Sequence, residues 1–409
     1  MNHTSRSYLT AVHDSLGDLP ATLTPLHPDF PDGTWRLEWT GAGPNAGQTV
    51  TLTHQPDWLT GEPRALMTWH RPGTVQGEPL LPPDEPGLPS PAEAAALLSD
   101  FITHLPLLTG QHQHADVLAL LLRAARRVEL RNSGGATELN APTAVTFQNG
   151  PRRVTITAEP AAGTQERPRY ALHARVQPTP TSEWSAPLPV LEDGAPLGTL
   201  LGAGTNAILG YLLSGTVYFA VDLETLARPA TAVIPSFAVR PFTYLAGQSY
   251  LLPGRSFATD INDALDHGAV IERDTLTWWL GQSDAARQAL IDSQRGAPTE
   301  AQTLDDLSAY LTAFSGAFSL NVALGFGSIF DLAKLETAYY RHRKTMPLPF
   351  WNLLCGRTLS RSMPRIKLPR DGVHHEPLSD ATHMARTLAA QATAERREHL
   401  ILPDTPKTT

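Results

Sequence analysis

Cysteine is almost missing from this chain. Cys355 stands alone among 409 residues, so no disulfide can close within the chain and a cysteine-built zinc site is excluded. A reducing cytoplasm fits that usage best. Long apolar runs are missing too: the longest, such as Val117 to Leu122 and Ile208 to Leu213, are far too short to cross a bilayer. The stretch from Met1 to Leu19 is polar and has no apolar core behind a basic segment, so no signal peptide is expected. Nor is positive charge in bulk available, because a formal net charge of -8 argues against coating nucleic acid by attraction alone. Acid, in turn, is missing from one place. Between Glu336 and Asp371 there is none, while Arg341, Arg343, Lys344, Arg357, Arg361, Arg365, Lys367 and Arg370 all fall there. One local basic surface on an acidic protein suits a phosphate backbone. Taken alone, a solvated charged face is the readier account of the same run.

What is present describes a soluble globular protein, with 41% hydrophobic and 18% charged residues, and the length favours two or three domains. The first 214 residues read as two loosely similar α+β units, residues 1–110 and 111–214. The first has a helix at Ser7 to Leu16 and strands at Thr34 to Thr40, Gln48 to His54 and Arg64 to Trp69. A Pro-rich loop from Pro72 to Pro91 and a helix at Ala92 to His104 complete it. The second offers a helix at Ala115 to Arg126, strands at Thr143 to Gln148, Arg152 to Ala158 and Arg169 to Val176, and a helix near Leu197 to Leu213. Alternation such as Trp35, Leu37, Trp39 supports half-buried strands, and Asn149-Gly150 is a hairpin signal. An internal duplication is the reading of this half. His112 and His114 alternate in a polar loop and show no dependable ligand spacing.

From residue 215 the texture changes. A strand ending near Asp222 is expected to pair antiparallel with Ala232 to Phe242 and Gly247 to Leu252. Helices follow at Asp260 to His267, Asp274 to Gly281, Asp284 to Gln294 and Leu304 to Phe314. After them come a strand at Leu320 to Leu324, a helix at Asp331 to Arg341 and a last helix from Pro377 towards Arg397. Asp260 with Asp263, and Asp305 with Asp306, read as acids at helix starts. Three strands and then alternating helices and strands is the order of a ribonuclease-H-like α/β mixed sheet, here over residues 215–400, with residues 401–409 as a tail.

Chemistry concentrates on five residues. Asp222 and Glu224 are two apart at the end of the apolar run Val217 to Val221, so a strand puts both carboxylates on one face where they can share a divalent cation. Asp331 follows the glycine-rich turn Gly325-Phe326-Gly327-Ser328, at the carboxyl end of a strand, where open α/β sheets place their ligands. His375 feeds the helix whose first turn carries Asp380. Phosphodiester hydrolysis uses such a set. Two magnesium or manganese ions roughly 4 Å apart stabilise the attacking and leaving oxygens, carboxylates hold them, and a histidine takes the proton from water. A strand-end turn with solvated acids is the bland alternative for Asp222 and Glu224. Trp278 and Trp279 serve either core packing or base stacking, and Arg357 and Arg361 either phosphate binding or plain solvation.

Taken in order, these segments resemble the DEDDh 3'-5' exonucleases. More narrowly they resemble the phage and mycobacterial exoribonuclease branch related to ribonuclease T and oligoribonuclease. Asp222-Leu223-Glu224-Thr225-Leu226, Phe330-Asp331 with Leu335-Glu336, and His375-x4-Asp380-Ala381 carry the likeness. Asp274 to Ser283 and Pro349-Phe350-Trp351-Asn352 with Arg357-Thr358 add to it. It covers Thr216 to Ala390. The resemblance implies a metal held by Asp222, Glu224 and Asp380, a second held by Asp222 with Asp331, and His375 as general base. Thr225 and Leu226 would then border the 3'-terminal nucleotide. The implied substrate is a single-stranded or 3'-overhanging nucleic acid, RNA favoured over DNA, with nucleoside 5'-monophosphates as product. A homodimer is left open, as is an unidentified partner for the N-terminal half, and a catalytically silent nucleic-acid or protein-binding scaffold is the rival. Three departures stand out. Pro235 is expected to interrupt the second strand at an edge or bulge, the usual Asn is absent before Phe330-Asp331, and Glu376-Pro377 replaces Asp-Ala after the histidine.

Overall fold

The computed structural model describes residues 5–16, 21–25, 35–40, 48–56, 63–70, 78–79, 90–92, 94–96, 98–99, 102, 121, 124–125, 128, 137–141, 144–164, 167–193, 195, 199–200, 202–328, 330–370 and 372–401. Most of the Pro-rich loop, His112, His114 and the tail from 402 onward lie outside them. By compactness the chain divides into two units, one built mainly from residues 1–150 and the other mainly from 206–409.

In the N-terminal part, the helix Ser5–Asp14 precedes a five-stranded sheet whose strands Ala21–Pro25, Trp35–Thr40, Thr49–Pro56, Pro63–His70 and Glu78–Pro79 neighbour one another in chain order. Leu37, Trp39, Val50, Leu52 and Met67 are buried, as the alternation requires. The first and last of these strands were not legible as apolar runs. A second five-stranded sheet contains Thr137–Ala141, Ala144–Asn149, Arg152–Thr164, Arg167–Gln177 and Leu188–Pro189. Gly150 turns between two of its strands with φ +55°, a conformation glycine adopts without a Cβ penalty.

The C-terminal unit is a mixed α/β sheet of the ribonuclease-H-like kind. A buried helix α1 (Ala203–Leu213) leads into strand β1 (Thr216–Glu224). Antiparallel partners follow: β2 (Ser236–Leu245), β3 (Gln248–Leu251) and β4 (Arg255–Ala258). Helices α2 (Ile261–Asp266), α3 (Arg273–Leu280), α4 (Asp284–Ser293) and α5 (Glu300–Ser315) come next. Strand β5 (Leu320–Gly325) then pairs parallel with β1, α6 (Asp331–Arg341) crosses over, and β6 (Leu353–Cys355) pairs parallel with β5. Two helices close the unit, α7 (Gly356–Arg361) and α8 (Pro377–Ala394). The strand order is β3-β2-β1-β5-β6, with β4 on β2.

Strand β1 is central and nearly all buried, which is why it reads as a continuous apolar run. Its residues alternate between two layers. Tyr218 and Ala220 pack with Ala381, Met384, Ala385 and Leu388 of α8, whereas Phe219 meets Phe314 of α5 edge-on at 5.4 Å. Asp222 and Glu224 continue the parity of Tyr218 and Ala220, so they fall on the α8 face. A smaller apolar cluster of Leu226, Val233, Ala264, Ala269, Trp279 and Ala286 holds α2, α3 and α4 together beside the strand end.

Three expectations need correction. The second strand begins at Ser236, so Pro235 stands before it and does not interrupt it; its carbonyl accepts from Thr259 and Gln294. Ala232 makes only a lone bridge to Val270. Helix α5 starts at Glu300, because Thr299 and Gln302 form a reciprocal capping box. Asp305 and Asp306 therefore sit one turn inside the helix, pairing with Lys344 and Arg255, whereas Asp260 does cap α2.

Candidate active site

Strand register places the two acids of β1 beyond the reach of its neighbour. Val221 is the last residue paired with β5, opposite Gly325, so Asp222 and Glu224 overhang the turn that leads into α6. That turn is tight: Gly327 O accepts from Phe330 N at 2.6 Å and Asp331 N at 2.8 Å, and Asp331 becomes the first residue of α6. Close approach favours glycine at position 325. A Cβ there would come within 3.0 Å of Asp331 Cβ and 3.1 Å of its carboxylate. On the other side, α8 begins with Pro377 in its first turn and Glu376 as cap, whose carboxylate accepts from Leu378 N and Ser379 N. Asp380 lies in the first turn of this helix. Asp331 and Asp380 thus both sit at helix N-termini, where the backbone dipoles favour negative charge.

One ligand oxygen each from Asp222, Glu224 and Asp380 lies within 4.8 Å of the others. Asp331 stands outside that trio but lines the same cleft, of about 610 Å³, together with Thr225, Asp274, Thr275, Trp278, Arg357 and His375. Crowding shows in the protonation equilibria. Burial and the neighbouring Asp380 and Asp331 push the Asp222 carboxyl well above its ordinary range. Burial and then Asp222, Asp380 and Asp331 push Glu224 up to about 9. Burial raises Asp331 to about 7, with Lys334 and Arg357 pulling the other way. Sheltered carboxyls, with Asp222 and Glu224 further raised by their acidic neighbours, form a hard-oxygen donor set, and a divalent cation is the group that relieves such repulsion.

His375 stands over this set. Its Nδ1 is 3.8 Å from Glu224 Oε1, and its backbone N–H donates to Asp380 Oδ2 at 3.1 Å. The residue has φ +64°, a left-handed conformation that a non-glycine residue adopts at a cost, and the Asp380 bond holds it there. Trp278 and Trp279 meet its ring edge-on at 4.9 and 6.0 Å, and His374 lies at 3.9 Å. Burial and His374 lower the His375 pKa, which keeps the imidazole neutral and able to accept a proton to more acid pH.

The remaining sequence candidates separate. Thr225 is buried at the cleft, with its carbonyl accepting from Trp279 Nε1 at 3.0 Å. Trp278 is 46% exposed and lines the cleft, while Trp279 is core. Arg357 lines it too, 5.8 Å from the Phe326 ring. Leu226 faces the small apolar cluster and Arg361 is exposed at the end of α7; neither is among the described residues that line the cleft. Three members of the basic run are already paired with acids. Arg341 is taken up by buried Glu300, Lys344 by Asp305 and Arg370 by Asp380.

Several cleft residues were missed from the sequence. Asp274 and Thr275 lie within a segment singled out for another reason, and Phe330 adjoins Asp331. Behind the cleft, outside its lining, Lys334 is 1% exposed, its Nζ 3.0 Å from the centre of the Phe330 ring, and burial brings its pKa down to about 8. The i, i+3 spacing from Asp331 was the available signal.

Among the described residues no helix is long and apolar enough to cross a membrane. No curated protein and no solved structure matches the chain. Residues 217–392, less than half of the chain but all of the cleft, match the family model of the Rv2179c-like 3'-5' exoribonuclease domain, which makes this segment a 3'-5' exoribonuclease domain of the mycobacterial branch.

Proposed function

We propose that the chain is a two-metal exoribonuclease that trims single-stranded or 3'-overhanging RNA from its 3' end and releases nucleoside 5'-monophosphates. Asp222, Glu224 and Asp380 would hold one magnesium or manganese ion, and Asp222 with Asp331 a second. When bound, the ions supply charge neutralisation at the attacking and leaving oxygens of the phosphodiester. The convergence of Asp222, Glu224 and Asp380 to within 4.8 Å, from elements some 150 positions apart, carries this reading.

The chain's own groups do the rest. His375, neutral and at the cleft, takes the proton of the attacking water. Its strained backbone, bonded to Asp380, ties the base to the ligand set. Trp278 offers an apolar face for a nucleobase and Arg357 a cation for a backbone phosphate. Glu376 fixes the start of α8, and so the position of Asp380, by its two backbone bonds.

A 5'-labelled RNA oligonucleotide incubated with the protein and Mn²⁺ should ladder from its 3' end and stop doing so in Asp222→Ala. No laddering by the parent, or equal laddering by the variant, would reject the reading. The same assay on DNA decides the sugar preference. Removing residues 1–214 and comparing substrates tests whether the N-terminal half presents the RNA; a homodimer and a cytoplasmic location remain part of the proposal.

A further inference from the structure

We propose that Asp263, His267 and His342 form a second kind of cation site, for zinc or a similar borderline ion, at the far end of α6 from the catalytic cleft. Asp263 and His267 are one turn apart across α2, and His342 caps the C-terminus of α6. One ligand atom from each lies within 4.8 Å of the others, and the two imidazole rings are 4.7 Å apart centre to centre. Four-coordinate zinc, with bonds of about 2.0–2.2 Å, needs ligand atoms about 3.3 Å apart. The His267 side chain is 49% exposed and can turn to close that gap.

The surroundings are those of a metal-binding histidine pair. His342 Nε2 lies 2.8 Å from the Glu300 carboxylate, so a neutral ring that donates there has its lone pair on Nδ1. Arg341 already balances Glu300 through two bonds, at 2.9 and 2.8 Å, leaving the imidazole the role of a neutral donor. His267 Nδ1 lies 2.8 Å from the backbone carbonyl of Asp263 and 3.6 Å from its Oδ1, so a ring that turns to an ion exchanges that carbonyl contact for the metal bond. Glu300 N donates to Asp263 Oδ2 at 2.8 Å and orients that carboxylate. His342 and Asp263 are thus fixed from behind by a carboxylate and a backbone N–H, the arrangement that aims a first ligand shell, while the exposed His267 ring turns in to complete it.

Position and donor type separate this site from the catalytic one. Eleven residues of helical rise put His342 about 16 Å from Asp331 along α6. Two nitrogens and one oxygen favour zinc, cobalt or nickel, whereas the all-oxygen trio of the cleft favours magnesium or manganese. An ion held here would join α2 to the helix that begins with Asp331, with a fourth position left for water.

The test uses the full chain stripped with chelator and titrated with Zn²⁺, and separately with Co²⁺, whose intense visible absorption reports four-coordinate geometry. One equivalent of tight Zn²⁺ and an intense cobalt spectrum are expected. Asp222→Asn should keep both, and His267→Ala should lose the spectrum and bind that equivalent on the order of 100-fold more weakly. Unchanged far-ultraviolet circular dichroism and Mn²⁺-dependent RNA cleavage in His267→Ala exclude misfolding as the cause. Absence of Zn²⁺ binding in the parent, or an identical spectrum and affinity in His267→Ala, would overturn the proposal.

Discussion

The guanidinium of Arg370 donates to Oδ1 of Asp380, one of the carboxylates nearest to Asp222 and Glu224. Its side chain is 36% exposed and that of Asp380 only 12%, so the arginine reaches in from solvent to a largely sheltered acid. A positive group on that oxygen and a divalent cation compete for the same lone pairs. Arg370→Gln should therefore lower the Mn²⁺ concentration that gives half-maximal cleavage, on the order of a few-fold for a partly exposed charge. Metal-dependence curves for parent and variant measure this; a higher Mn²⁺ requirement would mean that Arg370 orients Asp380 for the ion instead.

Crowded acids also govern stability against pH. The folded-state pKa of Glu224 is raised to about 9 from an ordinary 4.5, so the folded protein holds a proton that the unfolded chain releases. Its stabilising contribution is complete below about 4.5 and is lost as pH rises through about 9. Lys334, lowered to about 8, runs the opposite way over the alkaline part of this range. The decisive quantity is therefore a difference: the melting temperature of the cation-free parent, minus that of Glu224→Gln, should fall from pH 5 to pH 9. Saturating Mn²⁺ should remove most of that fall. A flat difference would show that the Glu224 carboxyl is not crowded by its neighbours.

Gly325 gives a test that substitutes no proposed ligand but presses on one. An added Cβ would meet Asp331 Cβ at 3.0 Å and Leu332 Cγ at 3.2 Å. Gly325→Ala should shift the first turn of α6 by a few tenths of an ångström and reduce kcat several-fold, less than the roughly 100-fold of a misplacement of about 1 Å. Melting measurements should show a protein that still folds cooperatively. Full activity would mean that Asp331 tolerates displacement and contributes little.

Trp278 and Trp279 offer a contrast between neighbours. Trp278→Ala should raise KM for RNA by about 5- to 160-fold with little change in melting temperature, if a base stacks there at about 1–3 kcal/mol. Trp279→Ala should instead destabilise the fold by about 3–5 kcal/mol, since its ring is buried and its N–H holds the Thr225 carbonyl. Equal KM in Trp278→Ala would remove the stacking role.

Much of this was legible in the chain, and the rest was hidden for physical reasons. Helix α6 announces both its ends, and β1 stands out because a strand covered on both faces is apolar throughout. Strand β6 is only three residues long, too short for any periodicity, and takes its place from pairing with β5. The start of α5 was misplaced because its signal is polar, the Thr299 and Gln302 box, while the apolar pattern begins later. The acids and His375 were marked by motif spacing, but Arg370 was not. Nothing local distinguishes it from the other basic residues of its run, of which Arg341 and Lys344 serve other acids. The left-handed turn at His375 was equally invisible, since histidine itself does not call for it.

The most direct measurement is a calorimetric Mn²⁺ titration of the full-length protein beside Asp222→Asn at neutral pH. Parent protein should bind Mn²⁺, and the variant should lose at least one equivalent together with 3'-end cleavage of RNA, because Asp222 belongs to both proposed ion positions. Unchanged stoichiometry and affinity in the variant would contradict the shared-cation account of Asp222, Glu224 and Asp380.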